Sequence, residues 1–231
     1  MKIDRLELQA NDLLAQHHFY RDVLQLPAVA TSETLQVQVG SSLLTFTQST
    51  GTHSQVYHFA FNIPENRFEE AKAWIAGRTP LITSSSGEDT FDFVNWNAHS
   101  CYFRDPAGNI LEFIARHGLP NASDVHFDAR SILSISEIGI ASDDVVATVE
   151  QLQRTGMPVY DGAGSDTFAA VGDEHGLLIV VKRGRIWFPD TGTPADLFPL
   201  KVEVSLGGDT TTVLSGPPYE VSHTYVASSD T

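Results

Sequence analysis

The run Tyr102-Phe103-Arg104-Asp105-Pro106-Ala107-Gly108-Asn109-Ile110-Leu111-Glu112 ends on a carboxylate, Glu112, in a setting where a carboxylate needs a partner. Asp-Pro-Ala-Gly-Asn is turn chemistry: Pro fixes φ early, and Gly or Asn accepts positive φ later. Both flanks are rich in aromatic and branched residues, so the segment reads as a β-hairpin. Past the turn, Ile110, Glu112 and Ile114 share one face of the strand while Leu111 and Phe113 share the other. Two apolar faces predict a strand buried on both sides, with Glu112 pointing into a cavity. A charge there requires a cation, a metal or a strong donor; otherwise the carboxyl holds its proton to higher pH.

The elements that position Glu112 recur. Strand, helix and further strands follow one another three times along the 231 residues. The first copy has Ile3 to Leu8 alternating, a helix from about Asp12 to Leu24 and short strands at Leu35 to Val39 and Leu43 to Phe46. The second has Tyr57 to Ile63, a helix opening near Asn66 and ending at Gly77, then Phe91 to Phe93 and the Glu112 hairpin. The third has Ile135 to Ile140, a helix from about Asp143 to Arg154, and strands at Thr167 to Val171 and Leu177 to Lys182. Arg5 precedes Asp12, His58 precedes Glu65, and Glu137 precedes Asp144, each by seven residues. That spacing makes Arg5, His58 and Glu137 equivalent positions. Overlaying the final turns, Gly108 on Gly176, sets Glu112 against Val180, and against Leu44 or Thr45 in the first copy.

The predicted fold class is α+β: residues 1–118 hold two strand-helix-strand units (1–50 and 55–117), 119–130 form a polar linker, and 131–206 form a third, degenerate unit. Residues 207–231, rich in Gly, Ser and Thr, read as an irregular tail. Val180 at the position of Glu112 marks the third unit as structural, with its open edge covered by the alternating run Leu200 to Leu206 or by a two-fold dimer.

Composition narrows the partners. A formal charge of −15 leaves no basic stripe for a nucleic-acid backbone or an anionic membrane, and a small molecule is the expected ligand. No run reaches the apolar length of a membrane span, and Met1-Lys2-Ile3-Asp4-Arg5 lacks the apolar region of a signal peptide. The lone cysteine, Cys101, makes no intramolecular disulfide and is expected as core filling, which fits a cytoplasmic location.

With Asn11-Asp12-Leu13, Phe19-Tyr20-Arg21-Asp22-Val23-Leu24, His58-Phe59-Ala60-Phe61 and the hairpin from Tyr102 to Glu112, residues 1 to about 117 resemble the vicinal oxygen chelate superfamily of glyoxalases, extradiol ring-cleaving dioxygenases, and bleomycin- and fosfomycin-resistance proteins. The resemblance implies a cup of paired βαβββ units around a divalent metal (Fe, Mn, Ni or Zn), with His58 and Glu112 at two of the ligand positions. Arg5 and Leu44 or Thr45 fall at the other two and do not fit. A third ligand would come from His99, Asn62 or His53. Tyr102, ten residues before Glu112, matches an active-site tyrosine of the dioxygenases, where it would serve as hydrogen-bond donor or acid.

The implied function is a metal-dependent lyase or ring-cleaving dioxygenase acting on a small polar or aromatic metabolite, with Phe93 and Trp96 walling the pocket. The alternative is a metal-free binding protein of the bleomycin-resistance type, in which Arg5 neutralises Glu112 or grips an anionic ligand.

Overall fold

The computed structural model describes residues 1–51, 54–162, 164–207 and 210–225. The first unit comprises β1 (Lys2–Ala10), α1 (Leu13–His18) with a π-helical turn to Val23, β2 (Ala28–Ala30), β3 (Thr34–Val39) and β4 (Ser42–Gln48). The second has β5 (His58–Ile63), α2 (Phe68–Ala76), β6 (Leu81–Ile82), β7 (Phe91–Phe93), β8 (Ala98–Arg104) and β9 (Ile110–Arg116). The third has β10 (Ser134–Ser142), α3 (Val145–Gln153), β11 (Val159–Tyr160), β12 (Phe168–Asp173) and β13 (Gly176–Lys182); β14 (Leu200–Ser205), β15 (Thr210–Gly216) and β16 (Glu220–Tyr225) follow. Asp12 and Asp144 cap α1 and α3, accepting from the backbone N–H of Ala15 at 2.8 Å and of Ala147 at 3.0 Å. Gly77 closes α2.

The strands form two mixed sheets. Among the described residues one runs β16-β15-β14-β1-β4-β3-β2 and the other β11-β12-β13-β10-β5-β9-β8-β6, with β7 on β8. In each unit the first strand pairs in parallel with the last, β1 with β4, β5 with β9 and β10 with β13. A common apolar core includes Leu6 and Phe46 of the first sheet and Phe61, Phe113, Ile138 and Val180 of the second.

This pairing corrects the predicted arrangement. The second unit closes a cup with the third, through antiparallel β5 and β10, and not with the first. The first unit's β1 pairs instead with β14, the strand expected to protect the third unit. Beyond it, residues 210–225 of the expected tail form β15 and β16, extending the same sheet. Local patterning finds the first and last strand of each unit, but the choice between partners of similar apolar character rests on long-range packing. The 119–130 segment packs as a connection, with Asn121 Oδ1 accepting from the Glu65 N–H at 2.8 Å and the Ser123 carbonyl accepting from Arg67.

The pairing also fixes the register. His58 lies opposite Ile110 and Glu137 opposite Leu177, so Glu112, opposite Ala60, corresponds to Ile179, opposite Gly139. Val180 is one residue off and points into the common core. The two turns differ by one residue, and a one-residue shift reverses the face of a strand.

Candidate metal centre

Alternation sorts each strand of the cup into two faces. In β9, Leu111, Phe113 and Ala115 join the common core, leaving Glu112 and Arg116 on the concave side. In β5, Phe59, Phe61 and Ile63 do the same, leaving His58 concave. A bulge between Ile135 and Glu137 in β10, against β5, accompanies Glu137's position on the concave face. His58, Glu112 and Glu137 therefore meet on the floor of the cup, one ligand-type atom of each lying within 4.8 Å of the others. They line a cavity of about 220 Å³ whose walls include Phe93, Trp96, Tyr102, Trp187 and Phe188.

Each member is held by a neighbour that leaves an atom for the centre. The His58 Nδ1 donates to the Ile110 carbonyl at 3.1 Å, which fixes the proton there and leaves Nε2 as a lone pair, 3.6 Å from Glu112 Oε2. Ser100 Oγ donates to Glu112 Oε1 at 2.5 Å, and Arg116 Nη2 donates to Glu137 Oε1. Arg116 also donates through Nε to Ser136 Oγ at 3.3 Å. Trp187 lies over the group, its ring centroid 5.2 Å from that of His58. A methyl carbon at position 139 would stand 2.4 Å from the Trp187 ring, so Gly139 is required for this close approach.

Burial dominates the electrostatics. Glu112 is raised well above the usual carboxyl range, first by burial and then by the Glu137 charge, against the opposing Ser100 hydrogen bond and Arg116 charge. Glu137 is raised by burial and held back by Arg116. Burial lowers His58 to about 4, so at neutral pH it is a neutral imidazole beside Glu112 and the two form no ion pair. One imidazole nitrogen and two carboxylates sharing a desolvated point are a donor set suited to Fe, Mn, Ni or Zn.

Tyr102 stands opposite Glu112 across β8 and β9, and burial together with the Glu112 and Glu137 charges raises its phenol far above the usual value. Phe93 and Trp96 line the cavity, with Trp96 Nε1 donating to Asp161 at 3.0 Å. Arg5 does not reach it. Its side chain is 63% exposed on the other sheet, 3.6 Å from Glu203, because its unit does not join this cup. Among the other candidates for a third ligand, His99 is on the opposite face of β8, 2.8 Å from His117, and Asn62 lines a separate cavity. His53 lies outside the described residues. Glu137 completes the group instead, and its signal was the seven-residue spacing it shares with His58. Nothing local marked Ser100, Arg116 or Trp187, which reach the site through pairing and a long connection after β13.

No family model and no curated protein matches the sequence. Solved structures do. A proposed dioxygenase of Bacillus subtilis subsp. subtilis str. 168 is similar over 78% of this chain and 63% of its own, at 17% identity and a TM-score of 0.58. A variant of glyoxalase I from Zea mays is similar over 96% of this chain and 91% of its own, at 12% identity and a TM-score of 0.53. The chain thus spans less than two thirds of the Bacillus protein but nearly all of the maize chain. No helix of the described residues is long and apolar enough to cross a membrane. With two mixed sheets, a cup of βαβββ units and these likenesses, the chain has the fold of the vicinal oxygen chelate superfamily, the glyoxalase and dioxygenase type.

Proposed function

We propose that the cup formed by residues 55–117 and 131–182 binds one divalent metal through His58 Nε2, Glu112 and Glu137, and that the protein is an enzyme of the lyase or ring-cleaving dioxygenase type acting on a small metabolite. The observation that carries this reading is the convergence of three buried ligand-type side chains within 4.8 Å on the floor of an aromatic cavity. The neighbours named in the Bacillus and maize structures support it as analogy. When bound, a cation here supplies Lewis-acid polarisation of adjacent substrate oxygens.

The chain's own residues define the rest. Ile110 and Ser100 orient His58 and Glu112, and Arg116 holds Glu137 with a compensating charge. Tyr102, protonated at neutral pH, offers its phenolic O–H beside Glu112. Trp187, Phe93 and Phe188 exclude water above the floor. The lone cysteine, which has no intramolecular disulfide partner, supports a cytoplasmic setting. The cup closes within one chain, so it needs no dimer to complete it. The metal-free alternative loses its anion contact with Arg5 on the far sheet.

Calorimetric titration of metal-stripped protein with Mn²⁺, Ni²⁺, Zn²⁺ and, anaerobically, Fe²⁺ tests the reading. One saturable site per chain is expected, weakened at least 100-fold by Glu112→Ala. Absence of saturable binding for all four ions would refute it.

A further inference from the structure

The cavity is graded in charge from floor to rim. Its floor holds two carboxyl groups, its walls are aromatic, and a cation stands at its mouth: Arg185, in the connection between β13 and β14. The backbone places this residue firmly. The Arg185 carbonyl accepts from the Ala195 N–H at 2.8 Å, the Trp187 N–H donates to the Thr193 carbonyl at 3.0 Å, and Arg104 ties the returning strand through the Thr191 carbonyl and Thr193 Oγ1, both at 3.1 Å. Arg185 and Trp187, two residues apart in this extended run, both border the cavity.

Among the described residues the Arg185 guanidinium has no carboxylate or hydrogen-bond partner; it lies over the Phe168 ring, 5.3 Å from the centroid. The contrast with Arg183 is direct, since that side chain is paired with Asp196 at 2.7 Å. Asp190 also borders the mouth, with Oδ2 accepting from the Ser85 N–H at 3.2 Å. In a chain of net charge −15, an unpaired guanidinium at the entrance to an acid-floored cavity is a candidate to recognise a negative group.

We infer that Arg185 is a specificity-determining residue, selecting ligands with an apolar body that fits the aromatic walls and a carboxylate or phosphonate at the end facing solvent. The orientation follows from the grading. The guanidinium at the floor, Arg116, is buried and already paired with Glu137, whereas Arg185 at the rim is free to take an anion, so the end of the ligand facing His58 is the uncharged one. This deepens the enzyme reading by naming a substrate class, and it rests on that reading only for which end would react.

The test uses metal-free full-length protein, with the fluorescence of Trp96 and Trp187 as readout, titrated with 3-phenylpropionate, 2-phenylethylphosphonate and the neutral 3-phenylpropanamide. The wild type should bind at least one anion about tenfold more tightly than the amide, as expected for one charge-assisted contact at a wet rim. Which anion binds better distinguishes the two chemistries. Arg185→Gln should abolish the preference while leaving calorimetric metal uptake unchanged, and Arg185→Lys should keep part of it. The inference is overturned if the amide binds as well as both anions, if the preference survives in Arg185→Gln, or if none of the three binds below millimolar concentration. A wild type that takes up metal but shows no preference defeats this inference alone. One that shows the preference but takes up no metal defeats the metal reading alone.

Discussion

Glu137 occupies in the third unit the place that His58 occupies in the second. Each lies in the first strand of its unit, opposite a residue at the start of the last strand, Leu177 and Ile110 respectively, and the antiparallel joining of β5 and β10 brings the two into one buried cluster. The site is therefore a property of the junction between units. The fourth related position, Ile179, closes the set with an apolar side chain on the cavity wall.

Glu137 and Arg116 are both fully buried, and breaking such a pair leaves an uncompensated charge. Glu137→Ala should destabilise the metal-free protein by about 3–5 kcal/mol in urea unfolding, and replacing both partners with Leu and Met should recover much of the loss. Equal instability of the single and double variants would show that the ion pair is not what the single substitution breaks.

His58 gives a pH dependence of definite sign. Its folded pKa, about 4, lies below the unfolded value of 6.5, so between these limits the unfolded chain takes up a proton that the folded one refuses. Stability from this group is full above 6.5 and falls as the pH drops towards 4, by up to about 3 kcal/mol. Unfolding of wild type and His58→Gln between pH 7 and 5 should show a shallower loss in the variant. Parallel curves would contradict the assignment.

Asp105 carries the turn that delivers Glu112. Its Oδ1 accepts from the N–H groups of Ala107 and Asn109 at 3.0 Å each, and its Oδ2 from Gln16 at 2.9 Å, Asn109 at 2.8 Å and Tyr20 at 3.2 Å. The hairpin is thereby pinned to α1 of the first unit. Asp105→Ala should cost roughly 2–4 kcal/mol by leaving buried donors unpaired. A thermal midpoint within a degree of wild type would contradict this role.

The sequence carried the local half of this architecture and little of the non-local half. The turn at Asp105 to Asn109, the helix starts near Asp12 and Asp143, and the equivalence of Arg5, His58 and Glu137 follow from spacing and short-range chemistry. What spacing could not decide was which sheet face each equivalent residue would share. Arg5 and Glu137 hold equivalent positions in the repeat, yet β1 pairs with β14 and leaves Arg5 in solvent, while β10 pairs with β5 and buries Glu137. His58 was legible from its place in the repeat and not from alternation, since every residue of its strand is buried. Thr210 to Tyr225 was read as a tail because Thr, Ser and Gly dominate it, although two antiparallel strands on β14 form there.

Because the second unit needs the third, a fragment ending near residue 118 exposes the β5 edge and removes Glu137. It should be less soluble and less stable than the full chain and should lose high-affinity metal binding. A monomeric, equally stable fragment that kept the metal would contradict the pairing of units described here.

The most direct test is a crystal of the full chain soaked with Mn²⁺, with diffraction recorded on both sides of the manganese absorption edge. The account predicts one anomalous peak per chain, about 2.0–2.3 Å from His58 Nε2 and from an oxygen of both Glu112 and Glu137. A peak elsewhere on the chain, or none at a concentration that saturates solution binding, would contradict it.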